Sequence, residues 1–218
     1  MASLGVNVSR ETLDRLETLV ATLVRWQKAI NLVAAGGLRE VWQRHVLDSA
    51  QLVSHFPRDA GSLVDLGSGG GFPGLVVAAL RPDLPITLIE ADDRKSAFLA
   101  EAARKMGVSS TVRMLTSRIE DATPVRADLV TARAVAPLAQ LLAWAQRHRS
   151  DNAICLFHKG RGWRDELTGA MKDWDIPYQP LSSATDRDAV ILRIGRFTAA
   201  GLRHRQPEGR RRQDDHRD

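Results

Sequence analysis

The stretch DLGSGGGFPG, Asp65 to Gly74, decides the fold. Five of its ten residues are glycine, the residue that loses most conformational freedom on folding, so something must need that bare backbone. SLVDLG, which enters the loop, reads as a short buried strand, and PGLVVAALR, which leaves it, reads as a helix. Strand, glycine loop and helix in that order place the loop beside the ligand crevice of a doubly wound sheet.

What the loop can hold is narrower. A triphosphate loop needs Lys and then Ser or Thr after its glycines, and neither stands there. A dinucleotide loop fits better, since Gly69, Gly71 and Gly74 satisfy G-x-G-x-x-G and Glu90 follows about 20 residues on. The glycines alone leave this open against another adenosine cofactor. Asp65, at the exit of the strand, would repel a pyrophosphate and suit a ligand with a positive end, such as the ammonium and sulfonium of S-adenosylmethionine. Dehydrogenase equipment is missing as well: the single tyrosine, Tyr178, has no lysine four residues later. Glu90 could accept from both ribose hydroxyls, Ile119 could pack on adenine, and Glu120 could accept from its exocyclic amine.

Outward from the loop, PITLIEA, TVRML, ADLVTARA, NAICLFHKG, PYQPLSS and DAVILRIGRF read as further strands. DRKSAFLAEAARKMG, APLAQLLAWAQRH and RGWRDELTGAMKDW read as helices between them, while the connection from TVRML to ADLVTARA is too short for a long one. The alternation predicts an α/β fold: a doubly wound, mostly parallel, Rossmann-like sheet, with the last two strands as an antiparallel pair. Two helices precede any strand. The first starts at an N-cap Ser9 and runs to about Asn31; the second carries Leu38, Val41, Trp42, His45, Ser49, Leu52 and Phe56 along one stripe. The expected division is a helical extension over 1–60, a Rossmann-like domain over 61–197, and a basic, disordered tail over 198–218.

Net charge is +5, but eight arginines against four acids from Arg193 onward carry +4 of it, so the globular part is nearly neutral. A local cluster, Arg147, His148 and Arg149 with His158, Lys159, Arg161 and Arg164, is a better sign of an anionic partner. No apolar run of about 18 residues and no signal pattern occur, which predicts a cytoplasmic protein with no membrane contact. Cys155, in AICLF, reads as core. The six histidines lack metal-ligand spacing, so no metal is expected. His45 and Asp48, three apart on the second helix, could be an acid/base pair; a pairing on the helix surface is the simpler reading. Trp26 and Trp42 read as helix-packing residues.

Several stretches together resemble the bacterial 16S ribosomal RNA methyltransferase G family, also called glucose-inhibited division protein B. They are WQKAINL (Trp26–Leu32), RHVLDS (Arg44–Ser49), LVDLGSGGGFPG (Leu63–Gly74), TSRIED (Thr116–Asp121), TARA (Thr131–Ala134), and KG with the later DEL (Lys159–Leu167). The resemblance implies a class I methyltransferase fold and methylation of guanine at N7, position 527 of the decoding-region loop in 16S ribosomal RNA, by S-adenosylmethionine. It implies cofactor contacts at Gly67, Phe72, Ile119, Glu120 and Arg133, with Asp65, Gly69, Gly71 and Glu90 as wider candidates from the residues themselves. RNA-contact candidates are Arg133, Lys159, Arg161 and Trp163, the last equally suited to covering the core. N7 has no proton to lose, so no catalytic base is assigned. The expected partner is 16S ribosomal RNA or the small subunit, with a monomeric enzyme. Two rival functions are an NAD-binding oxidoreductase and a non-catalytic RNA-binding module. His158 stands where the family more often has leucine and is left without a role.

Overall fold

The computed structural model describes residues 8–34 and 36–200. Seven strands form one sheet in the order β3-β2-β1-β4-β5-β8-β7. They are β1 Leu63–Leu66, β2 Ile86–Glu90, β3 Val112–Thr116, β4 Ala127–Arg133, β5 Arg149–Lys159, β7 Tyr178–Ser182 and β8 Val190–Ile194. Strands β1 to β5 run parallel; β8 is antiparallel to both of its neighbours, β5 and β7. The chain leaves β1 for β2 on one side and later returns to place β4 on the other. The switch point, where a crevice opens beyond the strand ends, therefore lies between β1 and β4.

The core forms on both faces because the strand residues alternate. Leu63 and Leu88 pack with Leu75 of helix α3 (Gly74–Leu80), Phe98 of α4 (Asp93–Lys105) and Leu19 of α1 (Arg10–Gln27). Val64, Leu66 and Ile89 pack the other way, with Leu141 of α5 (Leu138–His148), Leu167 of α6 (Trp163–Ala170) and Phe197. Cys155 is buried in this second layer, where desolvation pushes its thiol up to about 12.

Ser9 caps α1, its Oγ accepting from the Thr12 N–H at 3.2 Å. The helix stops at Gln27 instead of Asn31, because Gln27 Oε1 accepts from the N–H groups of both Leu32 and Val33 and folds NLVA back on the helix end. Trp26 packs edge-on against Phe98, and its Nε1 donates to Glu101 of α4. The second expected helix is not regular. A π-helical stretch, Trp42–Leu47, leads into one α turn, α2 (Asp48–Ala50), and a 3-10 stretch, Gln51–His55. Of the expected stripe, Val41, Ser49 and Leu52 are buried, while Trp42 is left 38% exposed. Two short strands were not expected: β6 (Trp174–Asp175) pairs with β9 (Thr198–Ala199). The chain is thus paired at the point where the tail was expected to begin, and the expected disorder over 201–218 lies outside the described residues. Among the described residues no helix is long and apolar enough to cross a membrane.

Candidate active site

A cavity of about 730 Å³ opens at the switch point. Its floor is the glycine loop, and the structure explains most of those glycines without any ligand. A Cβ on Gly74 would lie 2.3 Å from Leu88 and 2.8 Å from Asp65 Oδ2, so this glycine lets α3 close on the sheet. A Cβ on Gly67, whose φ is +67°, would meet the Val135 side chain at 2.8 Å. A Cβ on Gly70 would sit 3.0 Å from the Leu32 carbonyl, where the N-terminal extension lies against the loop. Gly69 differs: nothing approaches its missing Cβ closer than 3.8 Å, and it lines the cavity. Of these four, Gly69 is the one that leaves room for a ligand to reach the backbone.

Asp65 requires a correction. It is buried beneath the loop, outside the cavity lining, and cannot repel or attract a ligand by contact. Its Oδ1 accepts from Thr131 Oγ1 at 2.8 Å and its Oδ2 from the Gly74 N–H at 3.2 Å, tying β1 to β4 and to the start of α3. Burial raises its pKa to about 6, against the pull of those hydrogen bonds. Gly71 is likewise absent from the lining; its missing Cβ faces Leu75.

The remaining candidates do meet. Gly67, Gly69, Phe72, Glu90, Ile119, Glu120 and Arg133 all line the one cavity. Glu90, ending β2, accepts from the Gly69 N–H through Oε2 at 2.8 Å and from the Asp92 N–H through Oε1 at 2.9 Å. It joins the glycine loop to the start of α4, and each oxygen keeps a lone pair for another donor. The backbone N–H of Glu120 itself, and then Arg118 paired with it at 2.7 Å, hold its carboxyl below the usual range.

Opposite the loop, side chains build the wall. Arg133 Nη1 donates to the Arg44 carbonyl at 2.8 Å, and the same nitrogen lies 3.5 Å from Asp48 Oδ2. Its Nη2 donates to His45 Nδ1 at 2.8 Å. A guanidinium only donates, so His45 is neutral with its proton on Nε2. Burial, and then Arg133 beside it, lower the His45 pKa to about 4. Its ring stacks on Phe72 with centroids 5.0 Å apart, and the Arg133 guanidinium lies 5.2 Å from the same ring centre. Asp48 Oδ1 accepts from Thr185 Oγ1 at 2.8 Å, and His158 Nε2 donates to the Asp48 carbonyl at 2.8 Å.

His45 and Asp48 are therefore not a pair on a helix surface. Both face Arg133, and they bring the N-terminal extension into the cavity wall along with Leu32, Val33 and Ala34. Those three residues were not expected at the site; the signal that could have marked them is the unbroken apolar run at the end of α1.

Residues from Leu32 to Asp48 thus fold onto the same site as the middle of the chain, and the comparisons take in both. The family model for rRNA small subunit methyltransferase G matches residues 12–187. The chain belongs to this family. A ribosomal RNA small subunit methyltransferase G of Jannaschia is 47% identical over 195 residues, covering 88% of this chain and 92% of the relative. The corresponding protein of Paramagnetospirillum magneticum is 48% identical, covering 86% and 90%. Among solved structures, a methyltransferase from Geobacter sulfurreducens superposes with a TM-score of 0.54 at 13% identity, over 82% of this chain and 88% of that one. TYW2 of M. jannaschii in complex with AdoMet gives 0.55 at 12% identity, over 79% and 80%. These two structural likenesses speak for the fold alone: it is the Rossmann-like methyltransferase architecture.

Within this member of the family, the RNA-contact candidates separate. Arg161 is an open surface group, its side chain 86% exposed beside Asp188 at 2.8 Å. Trp163 is 8% exposed and packed in the core under α5, with Arg164 over its ring, so it offers no face to a base. Lys159 is 7% exposed, with Nζ donating to the Ala136 carbonyl at 2.9 Å and to Glu166 Oε2 at 2.7 Å.

Proposed function

We propose that the chain transfers the methyl group of S-adenosylmethionine to N7 of a guanine in small-subunit ribosomal RNA. The observation that carries the reading is the convergence of Gly69, Glu90, Ile119, Glu120 and Arg133 on one cavity at the switch point of a methyltransferase fold. The size of the cavity suits a nucleoside cofactor with part of a base beside it. The open face of Gly69 and the spare lone pairs of Glu90 fit a ribose. In this reading Glu90 holds the ribose hydroxyls, Ile119 and Glu120 hold the adenine, and Gly67, Phe72 and Arg133 border the methionine end.

When bound, the cofactor supplies a methyl group made electrophilic by a positive sulfur. Guanine N7 carries a free lone pair and no proton, so the chain has to orient and desolvate and need not remove a proton. The wall agrees with this division. His45 Nδ1 is occupied by Arg133 and its pKa is near 4; His158 Nε2 is held by the Asp48 carbonyl. The remaining lone pair of His158, on Nδ1, is buried away from the cavity, so neither ring offers a base to it. Arg161, exposed and next in the chain to Gly160 of the cavity lining, is our candidate to meet phosphate.

The test is mass mapping of small-subunit RNA after incubation with the enzyme and isotopically labelled S-adenosylmethionine. The label is expected on one guanine base at N7, position 527. A label on a base carbon, a ribose or protein would defeat the reading. A thermal-shift series checks the cofactor separately: S-adenosylhomocysteine should raise the melting temperature, and NADH should not.

A further inference from the structure

Lys159 and Glu166 do something that the cofactor site and the RNA surface do not describe. Lys159 ends β5, buried, and two of its three ammonium protons go to the Ala136 carbonyl and Glu166 Oε2. Glu166 Oε2 also accepts from the N–H of Leu138 at 3.0 Å. Leu138 is the first residue of α5, whose N-cap is Pro137, a residue with no side chain able to cap. Glu166 on α6 thus caps a neighbouring helix, and Lys159 neutralises it there.

The segment held this way is the wall between β4 and α5. It begins at Arg133, already tied to Arg44, His45 and Asp48. Ala134 follows at φ 53°, a left-handed conformation that a residue with a Cβ adopts only where its surroundings impose it. Val135 then packs over Gly67. Ala134, Val135 and Lys159 all line the cavity. The loop is pinned at both ends, and between the pins it carries a strained residue against the glycine loop.

We propose that Lys159 and Glu166 are positioning residues: a clamp that fixes the Ala134–Pro137 wall at the height at which the target base must lie for in-line attack. This rests on the methyl-transfer reading above. Lys159 in this role serves the reaction by holding the wall through Glu166 and the Ala136 carbonyl, not as an RNA contact.

The test compares Glu166→Ala, Glu166→Gln and Lys159→Met with the unchanged full chain in three measurements. Affinity for S-adenosylhomocysteine is read by calorimetry, single-turnover methyl transfer is read at saturating small-subunit RNA, and amide exchange is read at Leu138. Glu166→Ala is expected to slow transfer about tenfold to a hundredfold, the scale of a small misplacement, while cofactor affinity changes far less. Leu138 exchange should rise with it. Glu166→Gln keeps an oxygen for both donors and should recover most of the rate. Lys159→Met should match Glu166→Ala; if it does not fold, the two Glu166 variants decide.

Transfer within twofold of the unchanged chain in folded Glu166→Ala overturns the clamp. So does a defect in Lys159→Met that saturating RNA abolishes, which would return Lys159 to the RNA surface. If the unchanged chain transfers no methyl to RNA, the reaction has failed, and Leu138 exchange in the same variants still decides whether the clamp exists.

Discussion

The two sides of the cavity are made of different materials. The glycine side is backbone: one loop of ten residues, shaped by close packing against Val135, Leu88 and Leu32, with the carboxylates of Glu90 and Asp65 as its struts. The opposite side is side chain: His45 from the π stretch, Asp48 from α2, Arg133 from β4 and His158 from β5, with Thr185 from the turn after β7 holding Asp48 from outside the lining. A backbone site is written in consecutive residues. A side-chain site exists only once distant elements have met.

The comparison is broken most severely at Arg133. Arg133→Met removes the donor to the Arg44 carbonyl and to His45 Nδ1 and leaves Asp48 without its nearest cation. A loss of about 3–5 kcal/mol in urea unfolding is expected, the scale of breaking a buried charge pair, together with loss of cofactor binding. A drop under 1 kcal/mol would show that the side-chain wall does not hold the N-terminal extension.

Next come the glycines, which separate packing from binding within one loop. Gly74→Ala drives a methyl into Leu88 and Asp65 and should cost about 1–3 kcal/mol of stability. Gly69→Ala meets open space and should cost only about 1–2 kcal/mol, from its φ of +50°. Calorimetry with S-adenosylhomocysteine should then show the larger loss of affinity, relative to stability, at Gly69. Equal ratios at the two positions would contradict the assignment of Gly69 as the ligand-facing glycine.

Acid sharpens the contrast, because the two sides respond with opposite sign. His45 has a folded pKa near 4 against an ordinary 6.5, so the unfolded chain binds protons first and stability falls as pH drops from about 6.5 to 4. His55, His148 and His158 are shifted downward as well, by burial first, and add to this. Asp65 runs the other way: its folded pKa is raised from 3.8 to about 6, so its contribution is full below 3.8 and is lost as pH rises through 6. Asp65→Asn keeps an oxygen for Gly74 and a donor for Thr131. It should steepen the rise of melting temperature between pH 4 and 6, since it removes the opposing term. An unchanged slope would mean that Asp65 titrates normally.

The smallest effect belongs to the exposed rim. Arg161→Ala should change stability by less than about 1 kcal/mol, because its pair with Asp188 lies in solvent. Its effect, if it meets RNA, should appear in a filter-binding assay as weaker affinity and a shallower salt dependence.

The difference between the two sides also explains what the sequence could tell. Strand alternation, the glycine loop, the Ser9 cap and the antiparallel last pair were legible because each is a local pattern with its own cause. Gly67, Phe72, Ile119, Glu120 and Arg133 are the positions the family resemblance implies, and all line the cavity; for Arg133 the local sequence alone carries no such signal. Asp65 was named for the wrong reason: a carboxylate at a strand exit looks the same whether it faces a ligand or a buried Thr131. His45 and Asp48 could not be aimed, because their partner Arg133 lies on β4, far along the chain, and only folding brings it to them. Lys159 reads in the sequence as an RNA-contact candidate, since its partner Glu166 lies on the next helix and only folding brings the two together.

The position of β8 bears on how the chain is made. It lies between β5 and β7, and its residues Ile191, Leu192 and Ile194 are wholly buried. During synthesis, β5 leaves the ribosome long before the strand that covers its edge. For that interval Leu156 and Phe157 stand at an open sheet edge, a template for pairing with other chains. A nascent chain stalled before Val190 has its glycine loop and most of its cavity residues in hand, yet exposes the edge that invites aggregation. Strand β8, the last of the seven to be made, is thus the step that covers the β5 edge.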